Sequence, residues 1–169
     1  MAIYSAVRTG PKPGSGLVRS LIIGSVVGLI SAMAMARAAE QGPLPLNPEL
    51  VGAGRVIYQQ QCASCHGARS EGAPRWQQPD AKGELPAQPH GPQGHAWKHS
   101  DAMLYRIVMQ GWRDPFNKTD RLTMPAFAAI LSPQEARAVI TYLKTLWTPE
   151  QRRVQHEESQ KGPFPTETK

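Results

Sequence analysis

The chain has 169 residues, 40% of them hydrophobic and 7% aromatic, with a formal net charge of +6. Four basic residues lie before residue 40, so the rest of the chain carries 15 basic and 13 acidic residues and is close to neutral. That part has no basic patch with interleaved aromatic residues, which argues against a nucleic-acid partner. Its length of about 130 residues is enough for one domain with one core.

The first 39 residues have the composition of an export segment. Basic residues precede an apolar run over 21–36, and no acidic residue occurs before Glu40. The run is short for a membrane span of about 20 residues, and it ends in AMA and ARA, which suit signal peptidase. We expect residues 1–39 to be a signal peptide or an uncleaved N-terminal anchor, followed by a linker at 40–46. Either form places the globular part in the periplasm.

Three segments of the remaining chain have the apolar spacing of amphipathic helices. The first begins after Asn47 with Pro48 at its first position, the second is SDAMLYRIVMQG from Ser100, and the third begins with a capping box between Ser132 and Glu135. No segment alternates with the period of a strand, so the predicted fold class is all-α. The predicted buried stripe of the third helix comprises Ala136, Val139, Ile140, Leu143 and Trp147.

The segments between and after these helices are expected to be less regular. Residues 70–99 are rich in Gly, Pro and Gln, which predicts a long loop. Beyond a domain at 47–148, a second capping pattern predicts a helical extension at 149–160 that is too polar to join the core. The tail at 161–169 is predicted to be disordered.

The only two cysteines lie in CASCH, at Cys62 and Cys65, with His66 directly after them. Zinc binding, thiol exchange and covalent haem attachment all use such a pair. A structural zinc site needs a second ligand pair, which the chain lacks, and a thiol-exchange site needs a preceding strand where a helix is predicted. Haem c attachment explains all three residues, because the thiols form thioethers and the imidazole becomes an axial iron ligand. The sequence therefore predicts one haem c, with His66 as a metal ligand.

Met124 is the predicted second iron ligand. It lies in a loop, and Pro125 after it favours an extended backbone that presents the sulfur away from the chain. Phe127 is placed to pack beside the haem. Met103 and Met109 lie on a predicted helix, where apolar packing is the commoner role. The alternatives are an open site or a histidine ligand: His90, His95, His99 or His156.

CASCH, the MPAF loop and SPQEARAVITYLKTLW together resemble a class I c-type cytochrome of the bacterial periplasmic type over about residues 47–147. The resemblance implies a cytochrome c fold, with about three core helices around one covalently bound haem. It implies that the first and last helices cross closely, with Gly54 and Tyr58 near Tyr142 and Leu143. It also implies further haem contacts. The Pro74 carbonyl would accept the ring N–H of His66, and Trp97 or Trp112 would bind a haem propionate.

These features predict a monomeric carrier of single electrons rather than an enzyme, since two axial ligands leave no site for substrate. Donor and acceptor proteins would dock transiently where a haem edge is exposed, beside the CASCH and MPAF segments. Two alternatives remain open. A displaceable distal ligand would allow peroxidase or gas-binding chemistry, and His95 with His99, aided by His90 or Met103, would hold a second metal.

Overall fold

The computed structural model describes residues 45–166, together with residue 10, and the rest of the predicted export segment lies outside them. The chain divides into two compact units, Met1–Gln41 and Gly42–Lys169, and the helices described below belong to the second. Its helices are α1 (Pro48–Ile57), α2 (Ala63–His66), α3 (Asp101–Gln110), α4 (Pro133–Lys144) and α5 (Pro149–Lys161). A π turn at Tyr58–Cys62 joins α1 to α2, and a 3-10 turn occupies Ala96–Lys98.

The described part of the chain contains no strand, only one isolated bridge between Trp112 and Met124, which agrees with the all-α prediction. In the same part, no helix is both long and apolar enough to cross a membrane.

The predicted helix starts are confirmed by their capping bonds. Asn47 accepts hydrogen bonds at its side chain from the backbone N–H groups of Glu49 and Leu50, at 2.9 and 3.3 Å. Ser132 and Glu135 form a complete capping box at the start of α4. These bonds satisfy N–H groups that have no partner inside the helix, so they define where each helix begins.

Helices α1 and α4 cross at Gly54, as the predicted close approach requires. A Cβ at position 54 would lie 2.0 Å from the Ala138 carbonyl oxygen and 2.9 Å from Cβ of Tyr142. One turn later Tyr58 is fully buried, and its ring centroid lies 5.4 Å from that of Tyr142. The absence of a side chain at position 54 therefore allows the backbones to touch.

The core lies along this crossing. All five residues of the predicted α4 stripe are buried, and Ile57, Tyr58, Leu104 and Leu131 pack with them. The residues around the cysteine pair border the same core, since Cys62 and Ala63 pack against it.

The π turn at Tyr58–Cys62 was not predicted, since the sequence favoured a regular helix up to the cysteine pair. A π turn adds one residue to the helical turn and rotates every later side chain about the helix axis. Here the added rotation falls between Tyr58, which packs against Tyr142 of α4, and Cys62. Cys62 therefore faces a different direction from the one that a regular helix would give it. Apolar spacing could not reveal it, because YQQQC has a single apolar residue before the cysteine.

Helix α5 differs from its expected role as a polar extension, because it buries a polar face. Gln155 is buried, and its side-chain amide donates to Asp101 Oδ1 at 2.7 Å and to Ser159 Oγ at 2.8 Å. Lys144 completes the cluster with an ion pair to Asp101 Oδ1 at 2.7 Å. A hydrophobic pattern cannot predict this contact, because polar groups form it.

The predicted disorder of the tail is wrong for its first residues. Lys161 ends α5, the Gly162 carbonyl accepts a hydrogen bond from Ala102 N at 2.9 Å, and the Phe164 ring packs against Tyr105 with centroids 6.4 Å apart. Residues 167–169 lie outside the described part.

Gly54→Ala is expected to lower the free energy of unfolding by about 3 kcal/mol, at the upper end of the usual cost of overpacking, since two backbones would have to separate. Urea unfolding followed by circular dichroism measures this change. Gly52→Ala in the same helix is the matched control, because nothing lies within 4 Å of a Cβ there. Alanine at that position should stabilise the protein by up to about 1 kcal/mol. Equal effects of the two substitutions would contradict the role assigned to Gly54.

Candidate haem-attachment site

Cys62 and Cys65 are free thiols at the junction of the π turn and α2. Cys62 is half-buried and Cys65 is exposed. The Tyr58 hydroxyl donates to the Gly67 carbonyl at 3.0 Å and so fixes the end of α2 against the core. Both thiols are available for covalent attachment.

The pKa of Cys62 argues against thiol exchange. Burial, with a smaller contribution from Cys65, raises this pKa to about 11. Thiol-exchange proteins use a cysteine whose pKa is depressed, because the thiolate is the reactive form. Cys62 is thus a neutral thiol at pH 7.

The His66 ring is oriented by a backbone carbonyl. Its Nδ1 lies 2.6 Å from the Gln88 oxygen, and because a carbonyl only accepts, Nδ1 carries the proton. Nε2 then keeps its lone pair. Burial lowers the pKa of His66, and the Gln88 bond only partly opposes this shift. A neutral imidazole with Nδ1–H bonded to a carbonyl is the usual state of a histidine that binds a metal through Nε2.

The predicted acceptor, Pro74, is wrong. Pro74 is exposed, whereas the segment that contains Gln88 folds back beside the end of α2. Two backbone bonds hold it there: Ala73 N donates to Ala87 O at 2.8 Å, and His90 N donates to Ser70 O at 3.0 Å. A separation of 22 residues and a loop without periodicity hid this pairing from sequence analysis.

His90 lies against the His66 ring. Their ring centroids are 4.0 Å apart and their planes differ by 31°. The Tyr58 ring meets His90 edge-on, at 6.0 Å and 78°. The pKa of His90 is well below its ordinary value, first because of burial and then because of His66 and His95. The sequence had suggested His90 as an alternative iron ligand or as an aid to a second metal site, not as a neighbour of His66.

Backbone hydrogen bonds hold the loop that contains Met124 in place. Trp112 N donates to Met124 O at 2.9 Å, and Met124 N donates to Trp112 O at 3.0 Å. Farther along, Phe127 N donates to the carbonyl of Val108 at 3.0 Å, which satisfies a carbonyl at the end of α3. Phe127 packs against the core and Pro125 is exposed. Met124 is half-buried beside Trp112.

Trp97 does not have the geometry expected of a propionate ligand. Its indole N–H, the only polar group of the side chain, donates to the Gly94 carbonyl at 2.9 Å. Lys98 lies over the same ring, with Nζ 5.2 Å from the centroid. Trp97 therefore closes its own loop and packs against the core. Trp112, the other tryptophan considered, lies next to Met124 in the bridge.

The predicted second metal site receives no support. The His95 and His99 rings lie 5.0 Å apart at 78°. Across residues 45–166, however, no group of three or more His, Cys, Asp or Glu side chains is arranged to hold a metal ion. His90, one of the two residues expected to aid this site, packs against His66 instead.

Side chains also tie the His66-binding loop to the Met124 loop. Glu84, with 4% of its side chain exposed, accepts a hydrogen bond from Thr119 Oγ1 at 2.5 Å and forms an ion pair with Arg121. Leu85 N donates to the side-chain oxygen of buried Asn117 at 2.8 Å. The loop that positions Gln88 and the loop that leads to Met124 are thus one connected unit.

The cytochrome c family profile matches residues 51–147, more than half of the 169 residues. No curated protein sequence matches the chain. Among solved structures, the chain is similar to cytochrome CL from the marine methylotrophic bacterium Methylophaga aminisulfidivorans MPT. The two are 18% identical with a TM-score of 0.46, over 72% of this chain and 70% of that chain.

The chain belongs to the cytochrome c family. It is a c-type cytochrome, a haem protein of electron transfer, and its cofactor is covalently bound haem c. The residues present fit haem c, because two free thiols lie beside an imidazole whose Nδ1 is already bonded to the Gln88 carbonyl. The attachment motif read from CASCH agrees with the family match.

Gly111→Ala is expected to displace the Met124 loop. Gly111 has φ +79°, and a Cβ there would lie 2.7 Å from Met124 O and 2.9 Å from Ala126 N. With ψ at 174° this backbone conformation is one that essentially only glycine adopts, and it alone costs a residue with a side chain about 1 to 3 kcal/mol. Amide hydrogen exchange at Trp112 and Met124 should accelerate at least tenfold. Gly91→Ala, which meets only the end of Gln93 at 3.6 Å, is the control. Unchanged exchange in Gly111→Ala would contradict the close packing.

Glu84→Gln is expected to flatten the acid side of the stability profile. Hydrogen bonds from Arg121 and then Thr119 lower the pKa of Glu84 from 4.5 to about 2. A lowered carboxyl pKa stabilises the fold fully above pH 4.5, and this contribution is lost as pH falls through 2. The variant should be less stable than the wild type at pH 7, with the gap closing towards pH 2.

Urea midpoints measured from pH 7 to pH 2 provide the test. Glu157→Gln is the control, because its carboxylate forms an exposed pair with Arg153 on α5 and such pairs contribute little. A gap between Glu84→Gln and wild type that stays constant with pH would contradict the assigned role of the Glu84 carboxylate.

Proposed function

We propose that the protein is a monohaem cytochrome that carries single electrons between exported redox partners, with His66 and Met124 as axial ligands. The observation that carries this proposal is the 2.6 Å bond from His66 Nδ1 to the Gln88 carbonyl. It keeps the Nε2 lone pair available for iron, directly beside Cys62 and Cys65. When bound, haem c supplies an iron that alternates between ferric and ferrous states.

The proximal residues serve attachment and orientation. Cys62 and Cys65 would hold the group by thioethers, so an exported protein keeps it even where it is partly exposed. The Gln88 carbonyl accepts a hydrogen bond from Nδ1–H of His66, which increases the basicity of the imidazole as a ligand. The buried Tyr58 hydroxyl holds the chain directly after His66.

Support for Met124 as the distal ligand comes from its backbone. Both its N–H and its carbonyl pair with Trp112, and the residues after it are bonded to the end of α3. A ligand held in this way does not need to be ordered when it binds. Met103 and Met109 are half-buried along α3, which suits packing. A thioether ligand favours the ferrous form and raises the reduction potential relative to two histidines.

We further propose a periplasmic location, either released by signal cleavage or tethered through residues 1–39. Partners would dock beside the CASCH and MPAF segments. Two exposed apolar side chains precede Met124 in the same loop: Phe116 is 82% exposed and Leu122 is 49% exposed. A small patch of this kind, on a monomer of nearly balanced charge, suits brief contacts rather than a stable complex.

Met124→Ala tests the ligation. In the haem-loaded wild type we expect a sulfur-to-iron charge-transfer band at the red end of the oxidised spectrum. The variant should lose this band, have a lower reduction potential, and bind CO rapidly once reduced. Met103→Ala is the matched control, since it removes a half-buried methionine from α3 and should leave the band and potential unchanged.

Two results would contradict the proposal. A band that survives in Met124→Ala would place the sulfur ligand elsewhere. Rapid and complete CO binding by the reduced wild type at neutral pH would indicate a displaceable ligand, and hence peroxidase or gas-binding chemistry.

A further inference from the structure

His90 is a half-buried titratable residue that the proposed electron carriage leaves without a role. Its imidazole lies 4.0 Å from the His66 ring, centroid to centroid, with 31° between the planes. At this separation the two rings are in contact, with their planes tilted rather than parallel. No other aromatic ring pairs with His66 in the described part of the chain.

The position of His90 is fixed independently of this contact. Its backbone N–H donates to the Ser70 carbonyl at 3.0 Å, and its carbonyl accepts the indole N–H of Trp147 at 2.9 Å. Trp147 is itself a buried core residue. The Tyr58 ring makes an edge-on contact with the His90 ring. The backbone of His90 is held at its N–H and at its carbonyl, and Tyr58 contacts one edge of its ring. The His90 ring therefore cannot easily follow a rotation of the His66 ring.

We propose that His90 is a positioning residue, whose imidazole fixes the rotation of the His66 ring by lying against its face. Two restraints then act on different parts of one ring. The Gln88 carbonyl holds the edge of His66 at Nδ1, and His90 holds the face. This inference rests on the proposed function, because it concerns His66 as the iron ligand.

The second effect of His90 is to exclude water from the same face of His66. Water near an iron ligand stabilises the ferric form, which carries one more positive charge, and exposure lowers the reduction potential. Removing the ring should therefore change the orientation of His66 and lower the potential. An aromatic ring of similar size should preserve both, because neither effect needs the nitrogen atoms of His90.

The experiment uses the haem-loaded protein and the variants His90→Ala and His90→Phe. The readouts are the reduction potential, the ferric electron paramagnetic resonance spectrum and the hyperfine-shifted haem methyl signals. These spectra report the orientation of an axial imidazole, which loss of stability alone does not move. His95→Ala is the control, since it removes an exposed histidine from the same loop.

We expect His90→Ala to lower the potential and to alter both spectra. His90→Phe and His95→Ala should remain close to the wild type. If His90→Ala fails to take up haem, His90→Phe still tests the proposal. A His90→Phe protein with altered spectra and a lowered potential would overturn positioning by ring contact. So would His90→Ala with wild-type spectra and potential.

These outcomes are separable from the test of the proposed function. Loss of the charge-transfer band in Met124→Ala, with His90→Ala unchanged, overturns the role of His90 and leaves electron carriage standing. Persistence of the band in Met124→Ala, with His90→Ala shifted, overturns the proposed distal ligand and supports the role of His90.

Discussion

The close contact of α1 and α4 at Gly54 is the constraint on which the rest of the structure depends. Because the two backbones touch there, Tyr58 enters the core one turn later and its hydroxyl reaches the chain after His66. Trp147, just beyond α4, reaches His90 from the same core. A wider separation of the two helices would move Tyr58, Trp147 and His90 together. The crossing therefore positions both the attachment segment and the loop that packs against it.

The long loops are ordered without secondary structure because their polar groups find partners in other loops. A loop of this length is unusual in a compact domain unless it has a function. Here Gln88 binds His66, Leu85 binds Asn117, and Glu84 binds Arg121. The last two bonds join the loop that contains Gln88 to the segment that leads to Met124. Both proposed iron ligands therefore belong to one hydrogen-bonded framework.

Sequence reasoning was correct where one residue type has one local role. The caps at Asn47 and Ser132 and the apolar stripe of α4 follow from short-range rules, and all were found. The acceptor for His66 was missed because a backbone carbonyl carries no sequence signal, and any residue in the loop supplies one. The polar packing of Gln155 was missed for a related reason, since its partners are distant in the chain.

The restraints around His66 and Met124 have a common consequence for electron carriage. An electron moves quickly only if the atoms around the iron need little rearrangement when the charge changes. His66 is bonded at one edge and covered on one face, and Met124 is held on both sides of its backbone. Water or a flexible loop in either place would reorient with each change of oxidation state. A rigid polar framework around the two proposed ligands would avoid this, and it gives a reason why so many polar groups of this small domain hold two loops in place.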